Sequence, residues 1–366
     1  MIPAEVYSQT IFDFLSPVRS FLDDPNVSEI MINGPDEVYV EQNGRLVLTE
    51  CRFDAQQLLS AILNVAQFQG VTVDQHHPIL EARLPDGSRV EAILPPAASK
   101  GPHVAIRRFS EDKLTVGKLI ALGSLTREAA ETLQILVECK QNIVVAGGTG
   151  SGKTSMLNAL SSFIPNDERV VVIEDAKELQ LQGRHVVQLE VQKPDSRGRG
   201  RVTTADLFKA TLRMRPDRIV VGEIRGSEAL ELIQAMTSGH GGCMSTVHAT
   251  YPTDTLNRLE TMALMSEVEL PLFALRSQIV SAIDIIVQTC RLRDGKRYVT
   301  HITEVDKEHC DNGYKLKDVF IRRYTGTADD GSISSELLPS GILPRCAEAV
   351  HSLGMRFPRC LYSYHG

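Results

Sequence analysis

The run Gly147-Gly148-Thr149-Gly150-Ser151-Gly152-Lys153-Thr154 satisfies G-x-x-x-x-G-K-[ST] at every position. Glycines in this arrangement let backbone N–H groups close around phosphate oxygens, and a helix starting at the end of the run adds partial positive charge. Lys153 has the length to reach β- and γ-phosphate oxygens, and the hydroxyl of Thr154, followed by Ser155, suits a Mg²⁺ ion carried by a nucleotide. The chemistry implied is binding of a nucleoside triphosphate.

Three further groups of residues could act on that triphosphate. Glu174-Asp175-Ala176-Lys177-Glu178 follows the apolar run Val170–Ile173, and either Glu174 or Glu178 suits the positioning of water or Mg²⁺. Arg218-Ile219-Val220-Val221-Gly222-Glu223-Ile224-Arg225 ends another apolar run in Gly-Glu. Glu223 there is suited to contact Mg²⁺ through water and to polarise the attacking water, with Arg225 close enough to report on the γ-phosphate. His240 and His248 bracket the run Gly241–Val247, and contact with the triphosphate or its acidic neighbours fits them better than a metal site, for which further ligands of suitable spacing are not visible.

These groups need a scaffold that brings strand ends together. From Thr126 onward helices alternate with apolar strands, as in a doubly wound α/β sheet, where ligands bind at the carboxyl ends of strands. Asn142–Ala146 reads as a buried parallel strand before the phosphate loop and Ser155–Phe163 as the helix after it, with strands at Arg169–Ile173, Arg218–Val221 and Cys243–Val247. Residues 1–110 differ: short alternating strands meet at Asn43-Gly44 and Pro85-Asp86-Gly87, with a helix over Ala55–Phe68 and a final strand His103–Phe109. The expectation is an N-terminal α+β domain over 1–110, a hinge over 111–125, and a phosphate-loop domain over 126–366 carrying a C-terminal helical and β subdomain.

Composition narrows the class. The chain has 366 residues, a net charge of -7 and a pI near 5.8, which disfavours a general nucleic-acid binder. No stretch reaches the ~18–20 apolar residues of a membrane span and the start lacks signal-peptide order, so a cytoplasmic protein is expected. The seven cysteines are scattered without a C-x-x-C pair, which favours reduced thiols.

Taken together, the phosphate loop, the acidic box, the Arg215-Pro216-Asp217-Arg218…Gly222-Glu223-Ile224-Arg225-Gly226 stretch and the histidine box resemble the secretion ATPases of type II and type IV secretion and type IV pili. Asp24–Gly34, Glu81–Arg89 and Ile106–Phe109 are similar to the tight-adherence pilus branch, the CpaF or TadA type. The resemblance implies a RecA-like ATPase domain with a smaller, PAS-like α+β N-terminal domain, and a homohexameric motor that hydrolyses ATP with Mg²⁺. It implies catalytic or metal-organising roles for Lys153, Glu174 and Glu223, sensing or coupling roles for Glu178, Arg225, His240 and His248, and arginines reaching the phosphates from the first domain: Arg83, Arg89, Arg107 and Arg108. The partners it implies are inner-membrane platform proteins, with peripheral membrane association through them and no specific nucleic acid. The nearest alternative is the ring ATPase of a DNA-transferring type IV system; a poorly hydrolysing regulatory scaffold is a third.

Overall fold

The computed structural model describes residues 4–109, 114–181, 183–194, 198–308, 313–328 and 331–362. The chain divides into two compact units, residues 1–112 with 194–199, and residues 113–193 with 200–366.

The first unit contains α1 (Ala4–Phe14), α2 (Arg19–Asp23), β1 (Val27–Asn33), β2 (Val38–Gln42), β3 (Arg45–Leu48), α3 (Ala55–Gln69), β4 (Ile79–Arg83), β5 (Arg89–Ile93) and β6 (His103–Arg107). Its strands form one antiparallel sheet in the order β3-β2-β1-β6-β5-β4. Side-chain alternation gives that sheet an apolar face, with Ile30, Val40, Val90 and Ile106 in one cross-strand row buried with Leu58, Ile62 and Val65 of α3. Asp54 caps α3 by accepting from the N–H groups of Gln56 and Gln57, and Gly70, at φ 69°, ends it in the left-handed conformation.

The second unit runs α4 (Val116–Ala121), α5 (Arg127–Glu138), β7 (Ile143–Gly147), α6 (Lys153–Ser161), β8 (Val170–Glu174), β9 (Val186–Glu190), α7 (Thr204–Thr211), β10 (Arg218–Ile224), α8 (Glu228–Thr237), β11 (Met244–His248), α9 (Pro252–Ala263), α10 (Leu272–Ala282), β12 (Ile285–Arg291), β13 (Arg297–Val305), β14 (Leu316–Thr327), β15 (Ile333–Pro339) and α11 (Ala347–Ser352). One sheet holds all its strands in the order β15-β14-β13-β12-β7-β11-β10-β8-β9, parallel from β9 to β12 and antiparallel from β12 to β15. Counted from β7, the parallel part reads 3-2-4-5-1-6, with the phosphate-loop strand between β11 and β12. This is a RecA-like α/β architecture. The strands of its centre are buried on both faces, which is why β7 and β8 read as unbroken apolar runs.

Two expectations about boundaries change. Residues 114–125 are not a bare hinge: Thr115 caps α4, and Leu119 and Leu125 are buried in the second unit's core, while 111–113 lie outside the described residues. The C-terminal strands are not a separate subdomain either, because β12 pairs with β7 on one side and β13 on the other, so the meander β13–β15 extends the same sheet. Val350, Phe357 and Leu361, from the weakly patterned last forty residues, complete that core. The run Lys193–Arg201, with four basic residues among turn-formers, falls partly outside the described residues, at 195–197. No helix among the described residues is long and apolar enough to cross a membrane.

Candidate nucleotide site

The strand that leads into the phosphate loop is held at its start by a buried asparagine just before β7. Asn142 donates to the Ala282 carbonyl at 2.7 Å and accepts from the Cys243 N–H at 3.0 Å, while its own N–H meets Asp284 Oδ2 at 2.8 Å. One residue thereby registers β7 against the starts of β11 and β12. At the other end, Gly147 pairs with His248 of β11 and Thr289 of β12. A methyl group on Gly147 would lie 2.3 Å from both Ser151 Oγ and Thr289 Oγ1, so glycine is required there by space. Gly150 and Gly152 take φ values of 67° and 93°, the left-handed region where side chains are strained.

Lys153 starts α6, and its Nζ donates to the Gly148 carbonyl at 3.0 Å, across the loop. The donors of the loop and this ammonium suit a polyphosphate. Thr154 Oγ1 stands 3.5 Å from Glu178 Oε2.

The carboxylates divide differently from the expectation. Glu174, the last residue of β8, accepts from the N–H groups of Glu178 and Leu179 at 2.9 and 2.8 Å and is 5% exposed. Burial pushes its carboxyl up to about 7, against the pull of those two N–H groups. Its role is to shape the turn that presents Glu178, and it is Glu178 that faces the Thr154 hydroxyl. Sequence alone placed both at a strand end without a signal to choose between them.

Glu223 sits on a bulge: Val221 pairs with Ser245 and Ile224 with Val247, so Gly222 and Glu223 stand against the single residue Thr246. Gly222 makes room for Glu174, since a methyl group there would come within 3.0 Å of Glu174 Cγ. The Glu223 carboxylate accepts from Arg225 Nε at 2.8 Å, and Arg225 also reaches Asp175 at 3.5 Å. His248 ends β11 beside this group; burial and the charge of Lys153 lower its pKa, with Glu223 acting in the opposite sense. Lys153, Glu223 and His248 thus share one electrostatic neighbourhood.

His240 does not join them. It precedes β11, whose Met244 pairs with Ile143 at the far end of β7, so five strand residues, ~17 Å, separate it from the loop end. Its N–H bonds to the Ala235 carbonyl and its Nδ1 is buried without a hydrogen-bond partner. Bracketing a strand puts two residues at its opposite ends, which is why His240 and His248 lie apart within this chain.

In the first unit, Arg83 pairs with Arg89 and Arg89 with Arg107, forming a row of three across β4, β5 and β6 that continues to Glu29 of β1. Arg108 is different: its Nη1 donates to the carbonyls of Asp24 and of Val27, the latter at 2.7 Å. Arg108 thus pins the start of β1.

Residues absent from the sequence reading also line the loop. Ser151 Oγ lies 2.9 Å from Thr289 Oγ1, which bonds to the Ala146 carbonyl at 3.0 Å, and Arg297 Nε donates to the Gly150 carbonyl at 2.8 Å. The sequence shows β-rich runs at Ile283–Thr289 and Lys296–Val305, flanking an Asp294-Gly295 turn, but nothing in it places their hairpin beside the loop.

A family profile described as type II/IV secretion system protein matches residues 13–319. The chain belongs to that family of secretion ATPases. It is 33% identical over 320 residues to the type IV secretion system protein VirB11 of Brucella suis, covering 80% of this chain and 88% of that one. It is 33% identical over 294 residues to the conjugal transfer protein TrbB of Rhizobium radiobacter, covering 79% and 87%. The ATPase DotB of Legionella pneumophila shares the fold, with a TM-score of 0.54 at 20% identity over 78% of this chain and 77% of that chain. This secretion ATPase is an ATP-hydrolysing enzyme. The superfamily resemblance stands, but these relatives carry type IV secretion and conjugal-transfer names in place of tight-adherence ones.

Proposed function

We propose that this chain is the ATPase motor of a type IV secretion machine of the conjugal-transfer kind. The observation that carries the reading is similarity to VirB11 and TrbB across about four fifths of the chain, together with an intact phosphate loop. In this reading Lys153 and the loop N–H groups bind the triphosphate. Glu178, beside Thr154, orients the attacking water and takes its proton, while Glu223, held by Arg225, acts from the β10 side. Thr154 and the two glutamates would supply the hard oxygen donors Mg²⁺ takes, and the ion would neutralise charge on the phosphates. His248 senses the nucleotide next to Lys153. Arg83, Arg89 and Arg107 form the first unit's contribution to the phosphates.

The assembly proposed is a homohexamer at the cytoplasmic face of the inner membrane, working on membrane-embedded platform proteins. A tight-adherence pilus motor is the second reading, favoured by Asp24–Gly34, Glu81–Arg89 and Ile106–Phe109. Deleting the gene decides between them: lost DNA transfer with normal pili supports the first, lost pili with normal transfer the second. Light scattering with a non-hydrolysable ATP analogue tests the hexamer, and a monomer in every nucleotide state would overturn it.

A further inference from the structure

The β12–β13 hairpin stands over the phosphate loop, and nothing in the motif chemistry accounts for it. Thr289 ties β12 to the loop through Ser151 and Ala146, and two residues later the chain turns through Leu292–Lys296, so that Arg291 and Arg297 face each other across the pair. The Arg297 stem lies against Gly152, where a methyl group would be 3.5 Å from Arg297 Cδ, and a methyl group on Gly150 would be 3.4 Å from Arg291 Nη1. Arg297 Nε then donates to the Gly150 carbonyl at 2.8 Å.

That bond has a directional consequence. In a trans peptide the C=O and the following N–H point opposite ways. Holding the Gly150 carbonyl toward the hairpin turns the Ser151 N–H into the loop, and it does point there, toward the Gly148 carbonyl that also receives Lys153 Nζ. An N–H aimed into the loop is a donor to phosphate oxygens of substrate and product alike.

We propose that Arg297 is a positioning residue for the nucleotide, fixing the Gly150–Ser151 peptide of the phosphate loop through its Nε hydrogen bond. A donor that serves ATP and ADP equally changes binding without changing the chemical step. Arg297→Met keeps the stem and removes the donor; a charge-assisted hydrogen bond of this kind corresponds to about a tenfold change. Arg297→Gln places an uncharged N–H where Nε stands.

The test measures ATP turnover and, by calorimetry, ADP affinity for wild type, Arg297→Met and Arg297→Gln, with melting curves to verify folding. Expected are a roughly tenfold higher KM for ATP and a matching loss of ADP affinity in the Met variant at unchanged kcat, with the Gln variant recovering most of both. Wild-type KM in the Met variant, a fall in kcat alone, or a Gln variant as impaired as Met would each overturn the proposal. The ADP measurement stands without turnover, so a failure of ATP hydrolysis in the wild type is read separately from a failure of Arg297.

Discussion

Replacing Glu174 by Gln tests the proposal that its carboxyl is structural and that the catalytic one belongs to Glu178. The glutamine oxygen can still accept from the N–H groups of Glu178 and Leu179, so the turn that presents Glu178 is kept, and only the charge is lost. Burial raises the Glu174 carboxyl from 4.5 to about 7, which corresponds to about 3 kcal/mol. Since folding raises this pKa, the folded state holds the proton more tightly than the unfolded chain. The associated stability is complete below about pH 4.5 and is lost as pH climbs through 7. Glu174→Gln, which cannot ionise, escapes that loss. It should match wild type near pH 4.5 and exceed it by about 3 kcal/mol at pH 8, a melting temperature higher by roughly 5–10 °C for a unit of this size. Thermal melts of both proteins between pH 4.5 and 8, paired with ATP turnover at pH 8, read the two quantities together. A variant that gains nothing at pH 8 and loses turnover by about a hundredfold would return the catalytic role to Glu174 and refute the division of labour.

Glu178→Gln should bind ATP as wild type does and hydrolyse it about a hundredfold more slowly in single-turnover assays, whereas Lys153→Ala should weaken nucleotide binding itself. Gly147→Ala forces a methyl group within 2.3 Å of two hydroxyls and 2.7 Å of the Thr289 carbonyl, so urea unfolding should report a loss of ~1–3 kcal/mol or more. The His248 ring should titrate below 6.5 by NMR, remaining neutral at pH 7, and replacing Lys153 by Ala should move it upward. Arg108→Ala should destabilise the protein by ~1–3 kcal/mol through the unmet Asp24 and Val27 carbonyls while leaving ADP and ATP affinities in their wild-type ratio; an ATP-specific loss would restore the phosphate-reaching role.

Much of the fold was legible because its signals are local. The Asn43-Gly44 turn fixed the β2–β3 hairpin, and the β-branched run before Gly147 marked β7, since a strand covered on both faces has no polar alternation to obscure it. What escaped depends on tertiary placement. Strand β9 lies at the edge of the sheet with mixed exposure, so Val186–Glu190 lacked the apolar run that marked its neighbours. Thr203 and Asp206 form a capping box before α7, a signal present in the sequence but followed by a helix of only eight residues. Within the site, residue types placed Glu174 and Glu178 at the right strand end, but which carboxylate turns to backbone and which to Thr154 depends on the path of the chain after β8. Arg107 and Arg108 show the same limit. Val104 and Ile106 fix the core-facing parity of β6, so Arg107 joins the arginine row on the opposite face and Arg108, one residue on, turns to the rim of β1.

The position of the hairpin over the loop follows from strand direction. Strands β7, β8, β10 and β11 run parallel, so the residues that end them, Gly147, Glu174, Ile224 and His248, lie along one edge of the sheet, with Glu223 just before the end of β10. A further parallel strand, β12, ends at the same edge, at Arg291. If the next strand were also parallel, a crossover would carry the chain away from that edge and begin it at the other. An antiparallel strand begins where its predecessor ends, so β13 starts at Arg297 beside the loop, directly across from Arg291. The change from parallel to antiparallel pairing at β12 is therefore what gives this ATPase a pair of arginines against its phosphate loop from within the same unit. It also connects the strand that carries Arg297 through continuous backbone pairing to β14 and β15, so the C-terminal meander and the Gly150 peptide belong to one hydrogen-bonded network.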